Sequence, residues 1–338
     1  MAFLSSLNGP TSKIKFLAKL TDFSSNALSL RRNLAVFESG YKCFGLKVDG
    51  KSLWESRVLH NSEQIEEFIN VSDVPLLSSS EVFERLKEDR EKRKGKQQFL
   101  AMYSSVFGGI TTDPTTMVIP MDDHMVHRGH GVFDTAAIMD GEGSLRYWLS
   151  VGPGDFQLSP SGCKQSALYA IVIQDKTPLG REGVKVWTST VPIKPPQFAT
   201  MKSVNYLPNV LSKMEAEEKG GFAAIWLDED GYIAEGPNMN VAFVTKENGL
   251  LMPSFDKILS GCTARRALSL SEGLVREGRI SGIRVGNVTM EEGKQACEMM
   301  LIGSGILAKV GPVGQALLDL ILDDMKFGPT DVRVPVPY

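Results

Sequence analysis

The hydrophobic pattern of this chain is clearest between residues 98 and 338. Short apolar runs at 99–107, 222–227 and 240–245 are followed by Gly, Asn or Asp turn signals, and they predict β-strands. Apolar residues at helical spacing predict amphipathic helices at 264–275 and 315–322. A chain of 338 residues is long enough to hold two domains and a sizeable core.

Residues 1–37 have a different composition from the rest of the chain. Their basic residues are opposed by a single acid, Asp22, and serine is frequent. Such a start is typical of an organellar transit peptide, and it also fits a disordered amino-terminal tail. Residues 38–97 form a charged extension, in which short helices are predicted at 62–69 and 80–94.

The overall composition narrows the function classes only modestly. A hydrophobic content of 42% and a net charge of -3 are ordinary for a globular protein, and they give no reason to expect nucleic acid or a membrane surface as a partner. No apolar run approaches the length of a membrane span. The scattered cysteines predict reduced thiols and not a disulfide framework; they are Cys43, Cys163, Cys262 and Cys297.

Three of the four histidines lie close together, at His124, His127 and His130. A spacing of three is compatible with one helix face and hence with a metal ion. The glycines at 129 and 131 argue against a continuous helix, and no cysteine or glutamate completes a ligand set. The sequence therefore predicts no metal site, although metal binding through these histidines remains an alternative.

Lys202 is the one charged residue between Lys194 and Lys213, and its neighbours are mostly apolar or aromatic. Removing an ammonium from water lowers its pKa from about 10.4 and so frees the amine as a nucleophile. The alternative interpretation is a lysine on a strand edge with its ammonium in water.

Glu235 is likewise the one charged residue in the stretch 231–245. A lone amine and a lone carboxylate suit a cofactor that needs an amine at one end and an acid at the other. Pyridoxal 5'-phosphate (PLP) is such a cofactor, because its aldehyde forms a Schiff base with a lysine while its ring nitrogen pairs with an acid.

The segments Lys202-Ser-Val-Asn-Tyr-Leu-Pro-Asn and Glu235-Gly-Pro-Asn-Met-Asn resemble the two signature blocks of the class IV (fold type IV) PLP-dependent aminotransferases. The resemblance covers residues 99–338 and is greatest to plant D-amino-acid transaminase and aminodeoxychorismate lyase-like proteins; branched-chain aminotransferases are also similar. It implies an α+β fold of two domains and a homodimer. A small, truncated domain would occupy 98–176, a linker 177–183, and a PLP-binding pseudo-barrel 184–338.

The resemblance also assigns roles to residues of this sequence. Lys202 would form the Schiff base, and Glu235 would keep the ring nitrogen protonated. Thr263 is predicted to be the N-cap of the helix at 264–275, whose amino-terminal end is suited to phosphate. Phe133 and Tyr206 match positions that contact substrate. The remaining cofactor-binding positions implied are Asn240, Gly261, Cys262 and Ser304.

The sequence departs from the family pattern in three places. Between Asp140 and Leu145 it lacks a few dozen residues, which in the family include the arginine that binds the PLP phosphate. After Ile306 it lacks a hairpin. The neighbourhood 152–156 holds no arginine, although bacterial D-amino-acid transaminases use one there for the substrate carboxylate. The phosphate would therefore depend on Thr263 and Ser304.

The function implied is transamination of small amino acids, of the D-amino-acid or branched-chain type, with 2-oxo acids as partners. Two alternatives stay open: a 4-amino-4-deoxychorismate lyase-like activity, and a catalytically impaired paralogue that lacks the phosphate arginine. The plant-like sequence and residues 1–37 favour a plastid, with the cytoplasm or the mitochondrion as alternatives.

Overall fold

The computed structural model describes residues 3–5, 47–48, 51–52, 75–92, 97–139, 143–175, 183–303, 311–329 and 333–335. The chain divides into two units, one of residues 25–93 and one of residues 1–24 together with 94–338. No helix in the described ranges is long and apolar enough to cross a membrane.

The strands are β1 (Phe3–Ser5), β2 (Lys47–Val48), β3 (Lys51–Ser52), β4 (Gln97–Ser104), β5 (Gly109–Thr111), β6 (Gly131–Met139), β7 (Gly143–Ser150), β8 (Ala167–Asp175), β9 (Val186–Thr188), β10 (Ala223–Ile225), β11 (Asn240–Val244), β12 (Gly249–Pro253), β13 (Gly282–Gly286), β14 (Glu298–Ile302) and β15 (Arg333–Pro335). The helices are α1 (Ser79–Lys92), α2 (His124–Arg128), α3 (Pro196–Ala199), α4 (Leu207–Glu218), α5 (Cys262–Arg276), α6 (Met290–Gln295) and α7 (Pro312–Phe327).

The smaller unit contains the β2–β3 pair and helix α1. Helix α1 agrees with the helix predicted at 80–94 to within two residues, and none of its side chains is buried. The helix predicted at 62–69 lies outside the described residues. So does nearly all of the segment 1–37, so the transit peptide stays a prediction.

The larger unit contains a seven-stranded sheet with the order β15-β1-β6-β7-β8-β4-β5. Strands β6, β7, β8, β4 and β5 pair antiparallel in succession, whereas β1 runs parallel to both β6 and β15. Successive side chains of a strand point to opposite faces. Accordingly, Ala101 and Tyr103 join the core on one face of β4, while Met102 joins a second cluster on the other.

The carboxy-terminal part of the same unit contains a four-stranded sheet of order β13-β12-β11-β14 and the parallel pair β9–β10. Helices α5 and α7 pack on the four-stranded sheet, and their buried apolar residues form one core with those of β11, β12 and β14. Every residue of β11 is buried, which agrees with the unbroken apolar run at 241–244. The domain boundary predicted at 177–183 lies largely outside the described residues and stays a prediction.

Local sequence signals explain where several elements begin and end. The predicted break in the histidine segment is confirmed, because α2 ends at Gly129, which has a left-handed backbone with φ 66. Helix α6 begins with a capping box, in which Thr289 and Glu292 each accept a backbone N–H of the other. The β11–β12 turn places Asn248 at φ 63, a conformation that asparagine tolerates better than most residues.

Candidate active site

The segment that carries Lys202 is fixed against the beginning of β6. The N–H of Phe133 donates to the carbonyl of Lys202 at 3.0 Å, and the N–H of Val204 donates to the carbonyl of Gly131 at 3.1 Å. An antiparallel bridge joins Val132 to Ser203 between these two hydrogen bonds. This short ladder connects residues far apart in sequence, and it brings the candidate cofactor lysine beside the candidate substrate residue Phe133.

The amine of Lys202 lies against aromatic rings. Its Nζ is 4.9 Å from the centroid of the Phe133 ring, and the Phe133 ring meets the Tyr206 ring edge to face at 5.0 Å. Helix α4 begins at Leu207, with Tyr206 at its N-cap position. The structure therefore brings together Lys202, Phe133 and Tyr206. Lys202 is partly buried, so its side chain does not simply extend into water.

Glu235 is held by the backbone that precedes and follows a tight turn. The N–H of Trp226 donates to the carbonyl of Glu235 at 2.9 Å, and the N–H of Ala234 donates to the carbonyl of Trp226 at 2.9 Å. The turn closes at Gly231, whose φ of 81 favours glycine. These hydrogen bonds fix the backbone of Glu235. The residue is buried, with only 5% of its surface exposed.

Burial raises the pKa of Glu235 to about 8, because an ionised carboxylate is poorly solvated there. Three groups oppose this rise: the N–H of Leu259, which donates to Oε2 at 3.3 Å, and the ammonium groups of Lys194 and Lys202. At neutral pH the buried carboxyl therefore carries a proton for most of the time, while two amines nearby favour its ionised form.

Lys194 also lies in this cluster, although no motif in the sequence marks it. It is only 9% exposed, and its Nζ lies 4.9 Å from the centroid of the Tyr206 ring. Burial lowers its pKa, Glu235 raises it, and Lys202 lowers it. The available signal was its place at the edge of the charge-poor stretch around Lys202, between Ile193 and two prolines.

Two tyrosines that are influenced by Asp134 of β6 have raised pKa values. Burial first, and then the charges of Glu235 and Asp134, raise the pKa of Tyr206 to about 12. Burial first, and then Asp134 and Cys262, raise the pKa of Tyr147 to about 12. Asp134 faces Tyr147 across the β6–β7 ladder. The amino-terminal end of α5, where Cys262 lies, is thus near the same strands that hold Phe133.

The amino-terminal end of α5 is built by a close backbone approach. Gly261 is the N-cap, and a Cβ added there would collide with Oδ1 of Asn240. The amide of Asn240 in turn donates to the carbonyl of Leu259 at 2.8 Å. The structure thus brings Asn240, Gly261 and Cys262 together. A helix end of this kind offers N–H groups and a positive dipole end to an anion.

The predicted N-cap role of Thr263 is wrong. Gly261 has an extended backbone, with φ -64 and ψ 130, so helical geometry already begins at Cys262. Thr263 occupies the second helical position and is buried. Its assignment to the phosphate end stays a prediction, and Ser304 lies outside the described residues.

The three histidines lie together in space. The His124 ring is 5.1 Å from that of His127 and 5.2 Å from that of His130, centroid to centroid. In the part of the chain that the structure describes, neither ring nitrogen of His124 or His127 has a hydrogen-bond partner. Among the described residues, no group of His, Cys, Asp and Glu side chains has an arrangement that could hold a metal ion.

Comparison with known proteins shows the family to which the chain belongs. The family model for class IV aminotransferases matches residues 127–314, a range that includes Lys202, Glu235 and the amino-terminal end of α5. The chloroplastic D-amino-acid transaminase of Arabidopsis thaliana is 54% identical over 327 residues, covering 79% of this chain and 86% of that protein. Identity at this level, over most of the length of both proteins, shows that they belong to the same family.

Solved structures agree on the fold. A branched-chain amino acid aminotransferase from T.th., complexed with N-(5'-phosphopyridoxyl)-L-glutamate, superposes with a TM-score of 0.60 at 17% identity, covering 70% of this chain and 97% of that one. A putative 4-amino-4-deoxychorismate lyase of Legionella pneumophila gives a TM-score of 0.54 at 19% identity, covering 63% and 97%. The predicted α+β, fold type IV architecture is confirmed, and the chain belongs to the class IV aminotransferase family of PLP-dependent enzymes.

Proposed function

We propose that this protein binds PLP through Lys202 and transfers amino groups between small amino acids, of the D-amino-acid or branched-chain type, and 2-oxo acids. The name of the Arabidopsis thaliana relative supports a D-amino acid as the first donor to test. The observation that carries the proposal is one cluster in which the amine of Lys202, the rings of Phe133 and Tyr206 and the buried carboxyl of Glu235 interact.

The residues present fit the ring nitrogen of PLP. Glu235 is buried, and its Oε2 accepts a single long hydrogen bond, from Leu259 at 3.3 Å, within the described part of the chain. A buried carboxyl with so little hydrogen bonding is costly unless a further partner arrives. Because its pKa is about 8, Glu235 has a proton available at neutral pH for a basic nitrogen placed beside it. A protonated ring nitrogen and an ionised Glu235 then satisfy each other.

The residues also fit a phosphate, although less completely. Gly261 permits the close approach of the chain to Asn240, which positions the first turn of α5. Cys262 and Thr263 stand in that turn. The arginine that the family resemblance implies has no counterpart in the sequence, so we expect phosphate binding to rest on backbone N–H groups and hydroxyls and to be weaker.

PLP, when bound, supplies the electron sink that stabilises negative charge at the substrate α-carbon. Lys202 would hold this group through its Nζ, and the same amine, once released, would accept the proton from the substrate α-carbon and later donate it again. The Phe133 ring lies against the Nζ of Lys202, and the Tyr206 ring packs on Phe133, so the two rings would shield part of this amine from water. Glu235 would keep the ring nitrogen protonated.

Two further properties follow from the same family relationship. We propose a homodimer, which light scattering coupled to gel filtration would test. We also propose import into the plastid, supported by the chloroplastic relative and by the composition of residues 1–37. A fusion of residues 1–37 to a fluorescent protein would test import, and diffuse cytoplasmic signal would contradict it.

The proposed function is tested by the visible spectrum of the purified protein with PLP, beside Lys202→Ala and the exposed-lysine control Lys246→Ala. We expect a cofactor band in the wild type and the control that is lost in Lys202→Ala. Turnover is then measured with D-alanine and with L-leucine against 2-oxoglutarate, and with aminodeoxychorismate alone. Pyruvate release from aminodeoxychorismate without transamination would favour the lyase. A wild type without a band at saturating PLP would contradict the proposal.

A further inference from the structure

Lys194 is a buried cation without an ordinary structural partner. It is only 9% exposed, and within the described residues its ammonium makes neither a hydrogen bond nor an ion pair. The ammonium does make a cation–π contact with the Tyr206 ring. Lys257 shows the contrast, because its ammonium lies near three carboxylates, among them Asp228 at 3.3 Å and Glu229 at 3.6 Å. Burying an ammonium without a hydrogen bond or an ion pair is unfavourable, so packing alone does not explain a lysine at this position.

Two charged groups influence the ammonium of Lys194, namely Glu235 and Lys202. The pKa of its ammonium is lowered by burial, raised by Glu235 and lowered by Lys202. Reciprocally, Lys194 lowers the pKa of Glu235, and it does so more strongly than Lys202 does. Tyr206 is the other titratable group that faces Glu235, and Asp134 in turn faces Tyr206. The packing places Lys194 and Glu235 close together, because Ile193, which precedes Lys194, packs against Ala234 and Ile258, which precede Glu235 and Leu259. Among the described residues, Lys194 is therefore the strongest cationic influence on the buried carboxyl.

The two lysines lie against different members of an aromatic pair. Lys202 contacts the Phe133 ring, Lys194 contacts the Tyr206 ring, and the two rings meet at 5.0 Å. The amine of Lys202 cannot keep its charge throughout the proposed reaction, because it must bind the cofactor and move a proton. Lys194 has no such task, so its charge stays beside Glu235 throughout the reaction.

We propose that Lys194 is a positioning residue whose buried ammonium is the lasting counter-charge of Glu235, allowing this carboxyl to give its proton to a cofactor ring nitrogen. This inference rests on the proposed function. A nearby cation stabilises the carboxylate over the carboxylic acid, so it favours the arrangement in which the nitrogen carries the proton. Without Lys194, the proton would return to the carboxyl, and the ring would withdraw electrons less strongly.

The direct readout is the protonation state of the ring nitrogen. PLP labelled with ¹⁵N in the ring is bound to the wild type, Lys194→Met, Lys194→Arg and the exposed-lysine control Lys246→Met, and the ¹⁵N chemical shift is followed against pH. We expect a protonated nitrogen at neutral pH in the wild type and the control. In Lys194→Met the ratio of protonated to unprotonated ring nitrogen at neutral pH should fall about tenfold, equivalent to about one pKa unit, because the proton then stays on Glu235. Lys194→Arg should largely restore it.

A second measurement separates this role from a structural one. Lys194→Met removes a buried charge and no hydrogen bond, so the melting temperature of the apoprotein should stay the same or rise, while kcat falls about tenfold or more. A ring-nitrogen titration in Lys194→Met identical to that of the wild type would overturn the inference and leave the proposed function standing. A wild type that binds no PLP would overturn both.

Discussion

The N–H of Leu259 donates to Oε2 of Glu235 at 3.3 Å, and it is the one hydrogen bond to this carboxyl within the described residues. The carbonyl of Leu259 also accepts a hydrogen bond from the amide of Asn240 at 2.8 Å. A single residue therefore connects the acid end of the site to the turn that leads into α5. We therefore expect a displacement of Leu259 to affect both proposed ends of the cofactor site.

Replacing Glu235 with Gln tests its protonic role at nearly constant shape. The amide can still accept from Leu259, but it cannot transfer a proton to a ring nitrogen. We expect kcat to fall about 10²-fold or more, in the range of general acid–base effects. Steady-state kinetics with the donor used by the wild type would measure this change, and a kcat within about twofold of wild type would contradict the role.

The same substitution alters the pH dependence of stability. The pKa of Glu235 is about 8 in the folded protein, well above that of an unfolded glutamate. The folded state thus binds more protons, so its stability is greatest below the unfolded pKa and declines as pH rises through about 8. The decline should reach a few kcal/mol at most, on the order of 1.4 kcal/mol per pKa unit.

Urea unfolding of the apoprotein between about pH 5 and pH 9 measures that decline. Glu235→Gln serves as the matched variant, and its free energy of unfolding should vary less over this interval than that of the wild type. Parallel curves for the two proteins would show that Glu235 is ionised throughout, contrary to the expectation.

Gly261→Ala tests the close approach at the amino-terminal end of α5. The added methyl group would collide with Oδ1 of Asn240, which must then move and weaken its bond to Leu259. We expect PLP affinity to fall about tenfold, equivalent to about 1.4 kcal/mol. Gly286→Ala is the control, because a Cβ there meets nothing within 4 Å. Equal PLP dissociation constants for the two variants would contradict a phosphate site at this turn.

Tyr206 offers a test of the aromatic pair apart from its hydroxyl group. Tyr206→Phe keeps the edge-to-face contact with Phe133, whereas Tyr206→Leu removes it, at a cost of about 0.5–1.5 kcal/mol in the free energy of unfolding. We expect only the leucine variant to raise the KM for the amino acid. An equal rise in both variants would assign the effect to the hydroxyl group.

The local chemistry of the site was predictable from the sequence, because isolated charges in apolar surroundings mark unusual environments. That signal identified Lys202 and Glu235, and the turn and helix patterns predicted most elements that surround them. Lys194 was missed for a related reason: it lies at the edge of such a stretch, and only the folded chain shows that it is buried beside Tyr206.

The long-range geometry was not predictable in the same way. Pairing of Ser203 with Val132 depends on tertiary contacts between segments far apart in sequence, which have no local signature. The N-cap at the start of α5 was misassigned because Thr263 is the better capping residue by type, whereas Gly261 is required by the nearby Asn240 side chain. The start of α5 is therefore set by tertiary packing, which outweighs the preference of threonine for the N-cap position.

Reductive trapping with borohydride, followed by peptide mapping, identifies the lysine that binds the cofactor. It fixes PLP to the lysine that holds it, and the site contains two candidates, Lys202 and Lys194. We expect the phosphopyridoxyl group on the peptide that contains Lys202, at that residue. Label on Lys194, or no label at saturating PLP, would contradict the assignment of Lys202 as the cofactor lysine.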